Sequence, residues 1–214
     1  MAKEKYYDPL SDMAMIKESL ASLFCDTEDM TRLIMPQLDN EDFTFEQNWY
    51  GGKFDKNIYG KTDIQTLIGH CFDTPYIEGT VSDNRCAIFI ETYLTKVENQ
   101  KIKQVGVDIF VIAHKDSVRL SDEDKDYYKS IGVYGNRVDS AVQVINSTIN
   151  DEKIMEAIKK RYSIGDLTFT ERNPVKQYIP GTKFYGKCLS YTYNTFYQRK
   201  DDNEETIKSR LEVY

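Results

Sequence analysis

The chain has few of the residues from which catalytic and metal sites are built. It contains two histidines, His70 and His114, and its four cysteines are widely scattered. No C-x-x-C or H-x-x-x-H spacing connects them, so the sequence does not support a zinc site. His70 and Cys71 are adjacent, and adjacent side chains do not face each other as a nucleophile and its base would. We predict no catalytic, cofactor-binding or metal-binding residues.

Other chemical signatures are also missing. Neither G-x-x-x-x-G-K-[ST] nor G-x-G-x-x-G occurs, and Gly51-Gly52-Lys53 is followed by Phe54 instead of a hydroxyl residue. His114, with Asp116 two residues later, stands where a strand is predicted to end, a common place for a general base and for a surface histidine alike. The acidic run from Asp122 to Asp126 lacks the alternating ligands, the central glycine and the final glutamate of a calcium hand.

Positive charge is in deficit. The 28 basic and 35 acidic residues give a formal charge of -7. Nucleic-acid binding needs a surplus of Lys and Arg on one face, so this balance argues against wrapping DNA or RNA. An acidic surface is consistent with simple solubility, or with a channel through which DNA passes without sticking.

Long apolar runs are absent as well. No segment approaches the roughly 20 apolar residues that span a bilayer, and the N-terminal MAKEKYYDPL lacks the apolar core of a signal peptide. We therefore expect a protein that stays in the cytosol until it joins an assembly. In that compartment the cysteines are expected to be free thiols packed as small apolar groups; they are Cys25, Cys71, Cys86 and Cys188.

The clearest pattern is a pair of β-type runs between Arg85 and His114. Two-residue alternation of β-branched and aromatic side chains predicts a strand in each run, and the polar KVENQKIK between them suits the tip of a long hairpin. The second run is apolar on both faces except at Asp108 and His114. One face of the sheet therefore needs helices, and the other needs another layer, which a neighbouring subunit could supply.

Helical spacing occurs on both sides of this hairpin. Before it, the patterns predict a helix from Ser11 or Asp12 to Cys25 and a short helix that stops before Pro36. After it, three-and-four spacing predicts a helix that starts near Gly135 or Asn136 and another from Asp151 to Tyr162. The end of the chain returns to strands, with a run at Leu167–Phe169 and a long strand from Phe184 to Tyr197.

These elements predict a single α+β domain over residues 1–214. Its centre is a mostly antiparallel sheet with a long hairpin, N-terminal helices and a packed helix before the closing strands. Long inserted loops are predicted near 37–62 and 115–134, and a charged tail at 199–214. The aromatic 37–62 segment is interpreted either as an irregular insertion packed on its own domain or as an arm that orders against a neighbouring subunit. The 16 tyrosines suit contact surfaces between subunits.

The layout resembles the tail-terminator and tail-completion proteins of tailed bacteriophages, the neck components of the head-tail connector. The resemblance rests on IKESLASLF, on the CAIFIETYL and QVGVDIFVIAH hairpin, on NRVDSAVQVINSTI and on FYGKCLSYTYNTF, within residues 11–35 and 85–198. It implies a structural virion protein without enzymatic activity, assembled in the host cytoplasm as a homo-oligomeric ring, usually sixfold. Its expected partners are neighbouring neck and tail-tube proteins, with no membrane.

In such a ring, DNA would pass through the lumen without specific binding. The acidic side chains of Asp122, Glu123, Asp124 and Asp126 are then expected to face the lumen. Other classes remain open, namely another phage connector or tail-associated protein, a monomeric non-catalytic interaction module with an apolar groove, and a small hydrolase. The hydrolase would need a pocket that converges on His114, Asp108 or the acidic run.

Overall fold

Two helices open the part of the chain that the structure describes. The computed structural model describes residues 9–25, 28–34, 49–50, 53–54, 71–72, 86–97, 102–162, 165–171 and 173–196. Helix α1 (Pro9–Cys25) begins two residues before the predicted Ser11, because the fixed φ of proline suits a first helical turn. Helix α2 (Glu28–Ile34) ends before Pro36, as predicted. Their apolar stripes are buried, at Met13, Ile16, Leu20, Phe24, Met30, Leu33 and Ile34.

The predicted hairpin is confirmed. Short strands β1 (Trp49–Tyr50), β2 (Lys53–Phe54) and β3 (Cys71–Phe72) precede it in the chain. Its strands are β4 (Cys86–Val97) and β5 (Ile102–His114), paired antiparallel from Cys86 opposite Ala113 to Val97 opposite Lys103. The strands reach further into the KVENQKIK segment than expected, so the tip is shorter. The register shifts once, between Leu94 and Lys96.

Three helices follow, and one of them corrects a prediction. Residues 115–134 were expected to be a long loop, but they contain helix α3 (Asp122–Ser130), which Ser121 caps at its N-terminus. Its polar sequence hides the helical pattern, because its buried contacts come from Asp124 and Tyr128 instead of an aliphatic stripe. Helices α4 (Arg137–Ile149) and α5 (Glu152–Tyr162) match the predicted positions, and Asn136 is the N-cap of α4.

The closing strands complete one six-stranded sheet. They are β6 (Thr168–Phe169), β7 (Val175–Tyr178) and β8 (Phe184–Phe196). The strand order is β3-β4-β5-β8-β6, and β7 also pairs with β8 on the same side as β6. All pairings in this sheet are antiparallel except β3 with β4. The predicted fold class, α+β with a mostly antiparallel sheet, is confirmed.

The core lies between one face of the sheet and the helices. Strand residues of this helix-covered face pack with α1, α2 and α4; they include Ile88, Ile90, Val105, Val107, Ile109, Val111, Leu189, Tyr191 and Tyr193. Full burial of each such side chain stabilises the fold by about 1.5–3 kcal/mol before entropy is counted. The opposite face carries a smaller cluster of Ala87, Phe89 and Ile112, packed with Phe110, Tyr178 and Phe184.

Two predicted segments fall largely outside the described residues. Of the 37–62 segment only β1 and β2 are described, and they pair as a two-stranded antiparallel sheet. The charged tail at 199–214 lies wholly outside. Among the helices of the described ranges, none has the length and hydropathy needed to cross a bilayer.

Candidate functional site

A buried arginine joins three helices on the covered side of the sheet. Arg137 opens α4 and is 3% exposed. Its Nη1 donates to the carbonyl oxygens of Arg32 and Leu33, both at 3.1 Å, and so satisfies the C-terminal end of α2. Its Nε donates to the Ser117 carbonyl at 2.8 Å, and its Nη2 lies 3.8 Å from Oδ2 of Asp124 on α3. These contacts hold the three helices together.

Two tyrosines of α3 extend this network to α2. The Tyr127 hydroxyl donates to Oδ1 of Asp29 at 2.6 Å, and the Tyr128 hydroxyl donates to the Asp29 carbonyl at 2.7 Å. The Arg32 guanidinium lies 4.5 Å from the centre of the Tyr127 ring. Burial, followed by the charge of Asp124, raises the pKa of Tyr128 far above its usual value. The cluster is a structural clamp between helices.

The acidic run therefore divides into two kinds of residue. Asp124 is 4% exposed and lies beside Arg137, so the expectation that it would face a lumen is wrong. Asp122, Glu123 and Asp126 are exposed on α3, where Lys125 and Lys129 pair with Asp122 and Asp126. Within the described part of the chain, no group of three or more His, Cys, Asp or Glu side chains is arranged to hold a metal ion.

His114 is buried at the end of β5. Its Nδ1 accepts a hydrogen bond from the Asp116 backbone N–H at 3.4 Å, and the Asp116 carboxylate lies at the same distance. Its ring packs edge-on against Phe184 at 5.6 Å. The side chain is 7% exposed, so a substrate has little access to it. His70 lies outside the described residues.

Cys25 ends α1 and Cys71 begins β3. The other two cysteines, Cys86 and Cys188, have buried free thiols. Burial raises the pKa of Cys86 to about 12 and that of Cys188 to about 11. A thiol becomes a nucleophile only as the thiolate, so both groups are poorly reactive near neutral pH. Free thiols were predicted, and these two positions have them.

On the face opposite the helices, Tyr93 is held against the sheet. Its hydroxyl donates to Oδ1 of Asp108 at 3.3 Å, and its ring lies over Gly106, where an added Cβ would come within 2.5 Å of the ring. Burial, followed by the nearby Asp108 carboxylate, raises the pKa of Tyr93. The ring is 40% exposed, so an aromatic surface is fixed in place on β4.

A cavity of about 330 Å³ lies beside this face, between β5, β8 and β6. Its lining includes Gln104, Thr192 and Asn194. Asp166 at its rim is paired with Lys159. Neither His114 nor Asp108 lines this cavity.

The exposed apolar side chains are concentrated on two edges of the sheet. Along β4 the side chains are buried as far as Ile90 and exposed from Tyr93 onward, and Leu94 and Val97 are 40% and 58% exposed. On the far side of β8, Val175 of β7 and Phe169 of β6 are 41% and 38% exposed, and Ile179 after β7 is 55% exposed. Phe169 is fixed by stacking on Tyr191 at 4.6 Å.

These edges were only half visible in the sequence. The alternation through Tyr93 predicted β4, whereas β7 was missed because its VKQY run has only four residues and follows directly after Pro174. Its alternation of Val175 and Gln177 with Lys176 and Tyr178 was the available signal. The position of β7, on the other side of β8 from β5, depends on the tertiary structure and cannot be read from the pattern of one strand.

Comparisons with known proteins leave the family as the one assignment. No curated protein and no solved structure matches the chain. The family model named YomW matches residues 18–193, a range that includes the hairpin, α3 to α5 and most of β8. The chain belongs to the YomW family.

Proposed function

We propose that the protein is a structural virion component of a tailed bacteriophage, a ring-forming tail terminator or neck protein that joins the tail tube to the head connector. The proposal combines the layout resemblance with the observed α+β fold. In this role the protein is assembled in the host cytoplasm, contacts its own copies and its neck and tube neighbours, and surrounds DNA without reading its sequence.

The observation that carries the proposal is the position of the exposed apolar side chains. Eight large apolar side chains of the described residues are exposed, and six of them lie on two opposite edges of one sheet. They are Tyr93, Leu94 and Val97 on β4, and Phe169, Val175 and Ile179 on or beside β6 and β7. A subunit of a ring needs two different contact surfaces on opposite sides, whereas a monomeric binding module needs only one.

The chemistry of the described residues adds to this reading. The buried charged and imidazole side chains of the described residues are engaged by neighbouring groups of the fold; they are Arg137, Asp124, Asp108 and His114. The thiols of Cys86 and Cys188 are held in the neutral form by burial. A protein that only assembles needs no reactive side chain, and these groups make contacts that stabilise the fold.

Size-exclusion chromatography with light scattering, followed by negative-stain imaging, tests the proposal. We expect a discrete oligomer that appears as closed rings and that associates with tail tubes. A monodisperse monomer at all concentrations, which neither forms rings nor binds tubes, would contradict it. A monomer that instead captured a peptide in a groove would favour the interaction module.

A further inference from the structure

The two exposed edges run in opposite directions. Strand β4 is antiparallel to β5, β5 to β8, and β8 to β7, so β7 runs antiparallel to β4 across the sheet. If a second copy is placed beside the first in the same orientation, its β4 therefore meets β7 as an antiparallel neighbour. This is the more stable type of ladder, and it requires no rotation of either subunit within the sheet.

The described strands leave part of each edge unpaired. Among the described strands, only β3 pairs with the outer edge of β4, and it reaches only Ile88 and Phe89. On the other side, β6 and β7 pair with β8, and no other described strand pairs with them. Chains that expose edges of this kind are templates for strand addition.

We infer that β7 and β6 of one copy add to the outer edge of β4 of the next copy, from Glu91 to Val97, to form a sheet that continues from subunit to subunit. The inference rests on the proposed function and names the seam of the ring. The contact is heterologous, because two different edges meet, and heterologous contacts form a ring when the rotation between subunits closes.

One register between β7 and β6 of one copy and β4 of the next places complementary side chains opposite each other on both faces of the sheet. On the helix-covered face it places Val175 opposite Leu94 of the next copy and Phe169 opposite its Val97, so that four exposed apolar side chains cover one another. The register shift in β4 after Leu94 is what brings Val97 onto this face, since Val97 pairs with Lys103.

The opposite face is also complementary in this register. Lys176 lies opposite Tyr93 of the next copy, and Tyr178 lies opposite its Glu91. A lysine over an exposed aromatic ring gains a cation–π contact, and it is also diagonal to the Glu91 carboxylate. Because the Asp108 hydrogen bond already holds the Tyr93 ring, little side-chain entropy is lost on contact.

The position of β3 selects this register. Within one copy, Tyr178 is level with Gly186, Ile112 and Ala87 across the sheet. The seam moves it to the level of Glu91, a shift of four residues along the strands. An odd shift would exchange the faces, and a shift of two would place Tyr178 at Phe89, where β3 already pairs. Four is the smallest shift that avoids both conflicts.

The same shift fits a closed cylinder. Each copy contributes four strand positions, β4, β5, β8 and the shared position of β6 and β7. A four-residue shift over four positions is about 13 Å along the strands for about 19 Å across them, which tilts the strands by about 35° from the axis. Closed barrels have tilts of about 35–45°, and one residue of shear per strand is the ratio of the eight-stranded, shear-eight barrel.

The connection from β5 to β7 gives the cylinder an outside. It passes through α3, α4, α5 and the short β6, and it joins two strands that run parallel, with β8 between them. Such crossovers are right-handed in nearly all proteins, and closed barrels coil in one direction. When the helices of a right-handed crossover face the viewer, β7 lies to the right of β5. The four-residue shift then tilts the strands in the direction found in closed barrels only if the viewer stands outside the cylinder, so the helices lie outside. The exposed Asp122, Glu123 and Asp126 of α3 then lie on the outer surface and not in the lumen.

Disulfide trapping tests the seam. In the variant that combines Leu94→Cys and Val175→Cys, the two cysteines face each other across the seam at a Cα separation that a disulfide accepts. After mild oxidation we expect non-reducing gels to show a ladder of covalent multimers that ends at the size of the ring. The matched control combines Tyr93→Cys with Val175→Cys, which differs by one residue and places the cysteines on opposite faces, so it should remain monomeric on the gel.

The outcomes separate this inference from the proposed function. Rings in the microscope without cross-linking of the Leu94 and Val175 pair would overturn the seam and leave the ring intact. Covalent dimers from Tyr93→Cys alone would mean that β4 pairs with β4 around a twofold axis, which also overturns the seam. A chain that stays monomeric and never cross-links would contradict both proposals.

Discussion

Arg137 is the residue on which the packing of three helices depends. Replacing it with alanine leaves the Asp124 carboxylate buried without its cation and removes donors from the carbonyls of Leu33 and Ser117. We expect the free energy of unfolding to fall by about 3–5 kcal/mol in urea titrations. Lys129→Ala is the control, because its ion pair with Asp126 is solvent-exposed and its loss should cost under about 1 kcal/mol. Equal effects of the two changes would contradict the role of the clamp.

The buried thiols make stability fall in alkali. The pKa of Cys86 rises from 9.0 to about 12 on folding, so above pH 9 the unfolded chain releases a proton that the folded chain keeps. The contribution of the Cys86 thiol to the free energy of unfolding is complete below pH 9 and is lost as the pH rises toward 12, at up to about 1.4 kcal/mol per pH unit for one group. We expect urea midpoints to fall between pH 8.5 and about 10.5.

Cys86→Ala separates the thiol from other alkaline effects. Cys188, Tyr128 and Tyr191 also have raised pKa values through burial, so the variant should keep part of the decline. Its slope of stability against pH should nevertheless be shallower than that of the parent chain. An unchanged slope would show that Cys86 ionises as readily in the folded protein as in the unfolded one.

At the scale of elements, the start of α4 is fixed by a reciprocal cap. Oδ1 of Asn136 accepts from the backbone N–H groups of Val138 and Asp139 at 2.9 and 3.1 Å, and Asp139 accepts from the Asn136 N–H. We expect Asn136→Ala to lower thermal stability by about 1 kcal/mol, while Asn136→Ser keeps most of it. If serine were as damaging as alanine, the amide would be acting through contacts other than the cap.

The elements that the sequence predicted are those whose apolar pattern faces one core. The buried positions of α4, from Val138 to Ile149, repeat every three or four residues, and every second residue of β5 from Val105 to Val111 enters the same core. Helix α3 was missed because its contacts are polar, through Tyr127 and Tyr128 to Asp29. Its signal was the N-cap Ser121 followed by three acidic residues in the first turn.

The candidate seam could be predicted only in part, because it also depends on contacts that the apolar pattern does not encode. Periodicity in one strand says which side chains share a face, but not which strand lies beside it. The sequence therefore indicated that the sheet needs a further layer or neighbour, and the edges became visible once β7 was placed against β8. The register shift after Leu94, which turns Val97 toward the helix-covered face, leaves no mark in the sequence.

At the scale of the whole molecule, the two edges should control assembly without controlling folding. Leu94 is 40% exposed, so Leu94→Lys should change the free energy of unfolding of the monomer by less than about 0.5 kcal/mol. In the seam the same lysine would be buried against Val175 of the neighbour without a countercharge. We expect the concentration for half-assembly, measured by light scattering, to rise at least tenfold, which is about 1.4 kcal/mol per contact.

Ile131→Lys is the matched control for this experiment. Ile131 is an aliphatic residue of similar exposure, 46%, but it follows α3 and lies on neither edge. Its replacement should leave both folding and assembly unchanged, because a solvent-exposed lysine there meets no neighbour. If both variants assembled like the parent chain, the edge of β4 would not be a contact. If both failed, assembly would depend on surface apolarity in general, since only a defect confined to Leu94→Lys assigns the contact to this strand.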